Sequence, residues 1–219
     1  MKRQDLARFL EHTLLRPDAT ESAIRQACRH AVISGCCSVV INPARVTVAK
    51  EELGESPVKI VTVAGFPLGS CRPEIKVVEA VRGAIDGAVE IDMVAAIGWL
   101  LDGEWQRAED EIVQVRRTLP REVALKVIIE APLLSQKQQA DATRVVINAG
   151  AQFVKSGTGF FGPVTVDQIR TLVDAAHGFI QVKAAGGIRS LEQCLSLIET
   201  GATRLGSSTS FDLLKSLPE

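Results

Sequence analysis

No apolar run in this sequence approaches the roughly 18 residues that a membrane-spanning helix needs, and the N-terminal MKRQDLARFLEHTLL lacks the continuous apolar stretch and small-residue cleavage site of a secretory signal. Neither charge sign predominates: 25 Lys and Arg stand against 26 Asp and Glu, a formal net charge of -1. A chain so balanced has no electrostatic pull toward nucleic acid or an anionic membrane surface. Metal and disulfide chemistry are equally thin. The five cysteines (Cys28, Cys36, Cys37, Cys71, Cys194) form an odd count, two of them adjacent, with no C-x-x-C, which argues against a disulfide framework or a zinc ribbon. The three histidines, His12, His30 and His177, occur in no H-x-H or H-x-x-x-H spacing. No G-x-G-x-x-G follows the first expected strand, which weighs against a dinucleotide-binding open sheet. A soluble protein in a reducing, cytoplasmic setting, with no metal or dinucleotide cofactor, is the expectation these absences leave.

What is present is a repeated local pattern. An amphipathic segment ends in glycine and a short apolar run follows: HAVISG-CCSVVIN, RGAIDG-AVEIDMV, VINAG-AQFVKSG and IETG-ATRLGSS. Glycine ends a helix by adopting the left-handed conformation, and the runs that follow are too short to be helices. Gly35, Gly87, Gly150 and Gly201 therefore mark helix-to-strand junctions. The pattern predicts strands near 12–15, 37–42, 58–64, 88–97, 123–129, 152–156, 179–184 and 202–207. Helical faces are expected from Ala23, Ile24, Ala27, Cys28 and Ala31; from Ile75, Val78, Ala80, Val81 and Ile85; and from Trp105, Ala108, Ile112, Val115 and Leu119. Two more follow from Val166, Ile169, Leu172 and Val173, and from Leu191, Cys194, Leu195 and Ile198. Asp18 or Thr20, Ser135 and Ser190 are suitable N-caps. Strands alternating with helices predict an α/β chain, a single (β/α)8 barrel domain spanning residues 1–219, at the compact end of that architecture. A doubly wound open sheet is the alternative.

Strands covered on both faces should be apolar throughout, and several of these are not. EIDMV carries Glu90 and Asp92, ALKVIIE carries Lys126 and Glu130, QFVKSG carries Lys155 and QVKAAGG carries Lys183. Within each strand the charges share one parity, so the apolar parity can face the helices while the charged parity faces the barrel interior. Such charges are costly to bury unless paired. They form either a structural salt-bridge plug or an active site at the C-terminal ends of the strands. A buried lysine beside a second cation is suited to imine chemistry, because both effects favour the neutral amine that attacks a carbonyl. On spacing alone Lys155 and Lys183 are equal candidates for nucleophile, with Asp92 placed to relay protons. GGIRS (186–190) and GSSTS (206–210) follow the seventh and eighth expected strands, where barrels commonly hold phosphate on backbone N–H groups. Ordinary turns would also favour these residues.

HTLLRPDAT, VVINPARV, TVAGFPLGS, EIDMV, KVIIE, FVKSGTGF, VKAAGGIRS and GATRLGSS, in this order from about residue 11 to about 209, resemble deoxyribose-phosphate aldolase. The resemblance implies a metal-free class I aldolase on a (β/α)8 barrel. It would interconvert 2-deoxy-D-ribose 5-phosphate with acetaldehyde and D-glyceraldehyde 3-phosphate, as a homo-oligomer (dimer or tetramer) whose partners are small molecules. By motif, the resemblance makes Lys155 the Schiff-base lysine, Lys183 the second lysine and Asp92 the relay acid/base. It carries phosphate binding to Gly159, Gly186, Gly187, Arg189, Gly206, Ser208 and Thr209.

The chain departs from the family pattern at Glu11 (usually Asp), Val40 (often Cys), Ala96 (Asn), Gly157 (Ser) and Ala185 (Ser), and it has no tyrosine to supply the C-terminal Tyr of some members. By parity Val40, Ala96, Gly157 and Ala185 lie inward or continue the inward side, which predicts a pocket with fewer hydrogen bonds to substrate hydroxyls and relaxed selectivity. Two further functions remain: a related Schiff-base aldolase with another substrate, and a catalytically silent sugar-phosphate-binding barrel. Trp99 and Trp105 are expected to pack rather than to bind, with Trp99 a candidate for the barrel mouth. His12 and Arg45 are left unassigned.

Overall fold

The inward and outward parities of the strands are the organising feature of the computed structural model, which describes residues 2–217. Outward-facing Val39, Ile41, Ile91, Met93, Leu125, Val127, Val154, Val182 and Leu205 join the helices in one continuous apolar layer. A second, smaller apolar cluster of Val40, Val61 and Val63, with Leu15 and Phe66 against it, belongs to the opposite parity and occupies one side of the barrel interior.

The strands are β1 (Leu10–Leu14), β2 (Ser38–Ile41), β3 (Lys59–Ala64), β4 (Glu90–Val94), β5 (Ala124–Ile128), β6 (Phe153–Lys155), β7 (Gln181–Ala185) and β8 (Arg204–Ser207). They pair in parallel in sequence order, and β1 closes the barrel by pairing with β8 as well as β2. Closure removes the open-sheet alternative. The helices are α1 (Arg3–Ala7), α2 (Glu21–Ser34), α3 (Val46–Leu53), α4 (Pro73–Asp86), α5 (Ile97–Asp102), α6 (Trp105–Thr118), α7 (Gln136–Asn148), α8 (Val166–Ala176), α9 (Leu191–Glu199) and α10 (Ser210–Lys215). The chain is thus a single-domain (β/α)8 barrel. Among the described residues no helix is long and apolar enough to cross a membrane.

Local chemistry accounts for the boundaries. Thr20, Ser135 and Ser190 accept a hydrogen bond from the third residue of α2, α7 and α9, and Ser135 and Ser190 form reciprocal capping boxes with Gln138 and Gln193. Gly35 stops α2 in the left-handed conformation (φ 69°), its N–H returned to Ala31 and Val32. The other junction glycines fall where expected, each followed by its strand.

One expected face is only partly buried: Ala80 of α4 is in the core as expected and Val81 is half-buried. Ile75, Val78 and Ile85 of α4 are 51%, 64% and 67% exposed, so they are not the core face. The buried side of α4 is Lys76, Ala80 and Gly83. Lys76 is wholly buried because its ammonium lies 2.7 Å from the equally buried Glu111 carboxylate of α6, which also accepts from the Ala96 N–H at 2.9 Å. Small residues then let the helix approach β3 closely: a Cβ at Gly83 would lie 2.6 Å from Thr62 Cγ2. The structure also adds α1, α3, α5 and α10, for which the sequence yields no stated face.

Gly83→Ala provides a test of this packing. Alanine favours an exposed helix interior by about 1 kcal/mol, whereas overpacking costs about 1–3 kcal/mol. We expect a net loss of stability, read as a lower urea midpoint at unchanged m-value.

Candidate active site

The charged parity converges as a continuous network inside the barrel. β4 supplies Asp92, which is fully buried and is approached by three ammonium groups: Lys126 of β5 at 2.9 Å, Lys155 of β6 at 2.8 Å and Lys183 of β7 at 2.6 Å. The parallel register explains this convergence, pairing Asp92 with Lys126 and Lys155 with Lys183 on adjacent strands. Below this layer Lys126 reaches Glu90 at 2.7 Å, Lys183 contacts Glu11, and Arg204 spans Glu11 at 3.1 Å and Glu90 at 3.3 Å. Lys59, half exposed, closes on Glu90 at 3.0 Å. Among the described residues no buried side-chain polar atom lacks a hydrogen-bond partner.

One lysine is set apart from the rest. The ionic layer holds the carboxylates Glu11, Glu90 and Asp92 and the well-buried cations Lys126, Lys155, Lys183 and Arg204, and the buried Glu130 carboxyl lies near Lys155. A low-dielectric interior penalises each of these charges. Lys155 is the cation that gives way first. Burial, and secondarily the nearby Lys183, lower its pKa to about 8 against the pull of Asp92. Lys126 moves the other way, because Asp92, Glu11 and Glu90 outweigh its burial. Burial pushes the Asp92 and Glu90 carboxyls up, but the lysines hold Asp92 well below its ordinary value, and Lys126 with Arg204 holds Glu90 down to about 2.

Lys155 also opens on the outside. It lies on the wall of a cavity of about 740 Å³ at the C-terminal ends of the strands, together with Thr158, Gly159, Phe160, Ala185 and Phe66. Asp92 and Lys183 lie in the layer beneath. The cavity edge formed by the loops after β7 and β8 and the end of β8 itself contains Gly186, Gly187, Arg189, Gly206 and Ser208, five of the residues expected to hold phosphate, and Gly159 lines the cavity from the loop after β6. Thr209 is set back, its N–H and hydroxyl directed at Ser207 and its hydroxyl 3.5 Å from the Ile188 carbonyl.

Several site features are not apparent in the sequence patterns. Glu11 and Arg204 complete the ionic layer, although their inward parity is available from EHTLL and TRLGS. His12, on the outward parity of β1, joins His30, Phe211 and Asp212 on a second wall of the cavity. His12 lies 2.7 Å from Ser210 Oγ, and burial together with His30 lowers its pKa to about 4, so it is neutral near pH 7. Phe211 stacks on His30 at 3.9 Å. Trp99 is outside the cavity wall and carries the Arg107 guanidinium 4.2 Å above its ring. Of the four inward departures only Ala185 lines the cavity. Val40 is buried in the interior apolar cluster, Ala96 caps α5, and Gly157 faces Glu130. The expectation of a pocket simplified at all four positions is corrected accordingly.

A closed parallel barrel with a cavity-facing lysine above a shared carboxylate defines an enzyme of the aldolase class, a lyase. The chain belongs to the DeoC/LacD family of aldolases, whose family model matches residues 10–209. It is 41% identical over 215 residues to deoxyribose-phosphate aldolase 1 of Bacillus licheniformis, covering 98% of this chain and 96% of that protein. It is 45% identical over 204 residues to the deoxyribose-phosphate aldolase of Deinococcus radiodurans, covering 93% and 92%. The tetrameric deoxyribose phosphate aldolase of Aeropyrum pernix superposes with a TM-score of 0.90 at 31% identity, over 98% of this chain and 91% of that one.

Two outcomes are expected from the network. Lys126→Met leaves buried carboxylates uncompensated and should cost about 3–5 kcal/mol of stability by denaturant unfolding. The rate of borohydride-trapped imine formation with acetaldehyde should rise with pH through about 8, because only the neutral Lys155 amine adds to the carbonyl. In Lys183→Met, loss of the neighbouring cation should move that midpoint upward.

Proposed function

We propose that the protein reversibly cleaves 2-deoxy-D-ribose 5-phosphate to acetaldehyde and D-glyceraldehyde 3-phosphate through an imine on Lys155. The observation that carries this reading is the Lys155 amine, which lines the cavity above the buried Asp92 and has its pKa lowered to about 8. A structural plug would need no such opening. The curated relatives named as deoxyribose-phosphate aldolases match nearly the whole chain and supply the substrate.

In this mechanism the neutral Lys155 amine adds to the C1 aldehyde, and the carbinolamine loses water as Lys183 donates a proton. The resulting iminium accepts electrons from the C2–C3 bond. That bond breaks as the C3 hydroxyl proton leaves toward Asp92 and Lys183, so C3 departs as the aldehyde of glyceraldehyde 3-phosphate. The enamine left on Lys155 takes a proton at C2, and water then releases acetaldehyde. Asp92, ionised and shared among the lysines, is the proton acceptor of the set. The phosphate end is assigned to Arg189 and to the backbone around Gly159, Gly186, Gly187, Gly206 and Ser208, at the loops where barrels commonly bind phosphate. Thr209 would support that edge through Ser207 rather than touch the ligand.

We further propose that the working form is a homo-oligomer. The exposed apolar strip of Ile75, Val78 and Ile85 is consistent with coverage by another copy, and sedimentation velocity would test it.

Lys155→Ala should lose cleavage by on the order of a thousandfold or more, and Asp92→Asn by about 10²–10⁴. Borohydride with acetaldehyde should add an ethyl group to the peptide containing Lys155 in the wild type alone. Binding of deoxyribose 5-phosphate without trapping or cleavage would favour a silent binding barrel instead. Trapping with acetaldehyde but no turnover of this sugar phosphate would favour a related aldolase with another substrate.

A further inference from the structure

Glu130 belongs to none of the ion pairs described above, yet its side chain is wholly buried and its backbone is left-handed (φ 51°, ψ 58°). Non-glycine residues rarely hold that conformation unless surrounding contacts impose it. Here the side chain's hydrogen bonds are all to one residue. The Thr158 N–H donates to both carboxylate oxygens, at 3.2 and 3.1 Å, and the Thr158 hydroxyl donates to Oε2 at 2.6 Å. Burial pushes the Glu130 carboxyl up, while these bonds and the Lys155 ammonium favour its charged form. Gly157 is part of the same arrangement, since a Cβ there would lie 2.6 Å from Glu130 Oε1. Without a side chain at 157, the carboxylate occupies that space.

The consequence falls on the polarity of one cavity atom. A threonine hydroxyl has a single hydrogen and two lone pairs. The hydrogen of Thr158 is committed to Glu130, and one lone pair accepts from the Phe160 N–H at 3.1 Å. One lone pair remains. Thr158 and Lys155 both line the cavity, three residues apart in the chain. We propose that Glu130 is a positioning residue that holds Thr158 as a hydrogen-bond acceptor only, so that the site selects a substrate presenting a hydroxyl near its imine end. This rests on the sugar-phosphate function proposed above. A substrate with an ether, carbonyl or fluorine at that place offers the lone pair no hydrogen, and one with a methylene leaves it unpaired.

The test reads selectivity at the imine step, which requires no carbon–carbon cleavage. Half-saturation of borohydride trapping on Lys155 is measured with 2-deoxyribose 5-phosphate and with its analogues lacking the C3 or the C4 hydroxyl. In the wild type at least one analogue should require about tenfold more ligand, the worth of one lost hydrogen bond. Glu130→Leu removes the acceptor and frees the Thr158 hydrogen, and Thr158→Val removes the hydroxyl. Either should erase the preference, while Thr158→Ser should keep it. If Glu130→Leu does not fold, Glu130→Ala, which also removes the acceptor, is read in its place. In a Thr158→Val background the Glu130 variant should change the preference no further, which a merely structural role for Glu130 would not predict.

No preference in the wild type, or a preference that survives in Thr158→Val or in the Glu130 variant that lacks the acceptor, overturns the inference. Failure of the wild type to cleave deoxyribose 5-phosphate while the preference is present and Thr158-dependent would overturn the proposed function and leave this assignment supported.

Discussion

Asp92 is one fully buried carboxylate shared by three lysines, and the rest of the interior is arranged around the difficulty of keeping it there. An isolated carboxylate in such a place would protonate. Lys126, Lys155 and Lys183 prevent that, but they bring more positive charge than Asp92 can offset. Glu11 and Glu90 offset the rest of that charge and also hold Arg204, and the lysine that gives up its proton most readily is Lys155, which faces the cavity. The same electrostatic balance that makes the barrel interior tolerable thus prepares an amine near neutral pH. Replacing the network with hydrocarbon could yield an equally stable barrel, but it would contain no nucleophile.

Much of this was legible in the chain. Period-two alternation in EIDMV, ALKVIIE, QFVKSG and QVKAAGG placed Glu90, Asp92, Lys126, Lys155 and Lys183 on one side, and the structure brings those five side chains together. Glycine at the ends of the helices located the starts of four strands within two residues. Strand alternation and helix stopping are local physical effects, and a sequence records local effects well.

Pairings between distant segments were not legible. Hydrophobicity alone put Ile75, Val78 and Ile85 of α4 inward, because nothing near Lys76 in the sequence announces the Glu111 carboxylate 35 residues away that permits its burial. Parity suggested that Ala96 and Gly157 simplify the pocket, but a loop leaves the strand repeat and parity stops applying: Ala96 caps a helix and Gly157 yields its space to Glu130. His12, with outward parity on β1, had no assignment; the cavity reaches it because it extends between α2 and α10 as well as over the barrel mouth. The family resemblance chose Lys155 over Lys183, a choice that spacing could not make. Exposure to the cavity and the directions of the charge interactions favour the same lysine on independent physical grounds.

The central claim is that Lys155 is the lysine of the buried network that gives up its proton near neutral pH. Its most direct test is a pH titration of lysine side chains by heteronuclear NMR of selectively labelled protein, with the Lys155 resonance identified by its loss in Lys155→Met. The account predicts that this resonance titrates near pH 8 while Lys126 remains charged throughout the range. A Lys155 that keeps its proton up to the ordinary lysine value of about 10.4 would contradict it and return the interior charges to a structural role.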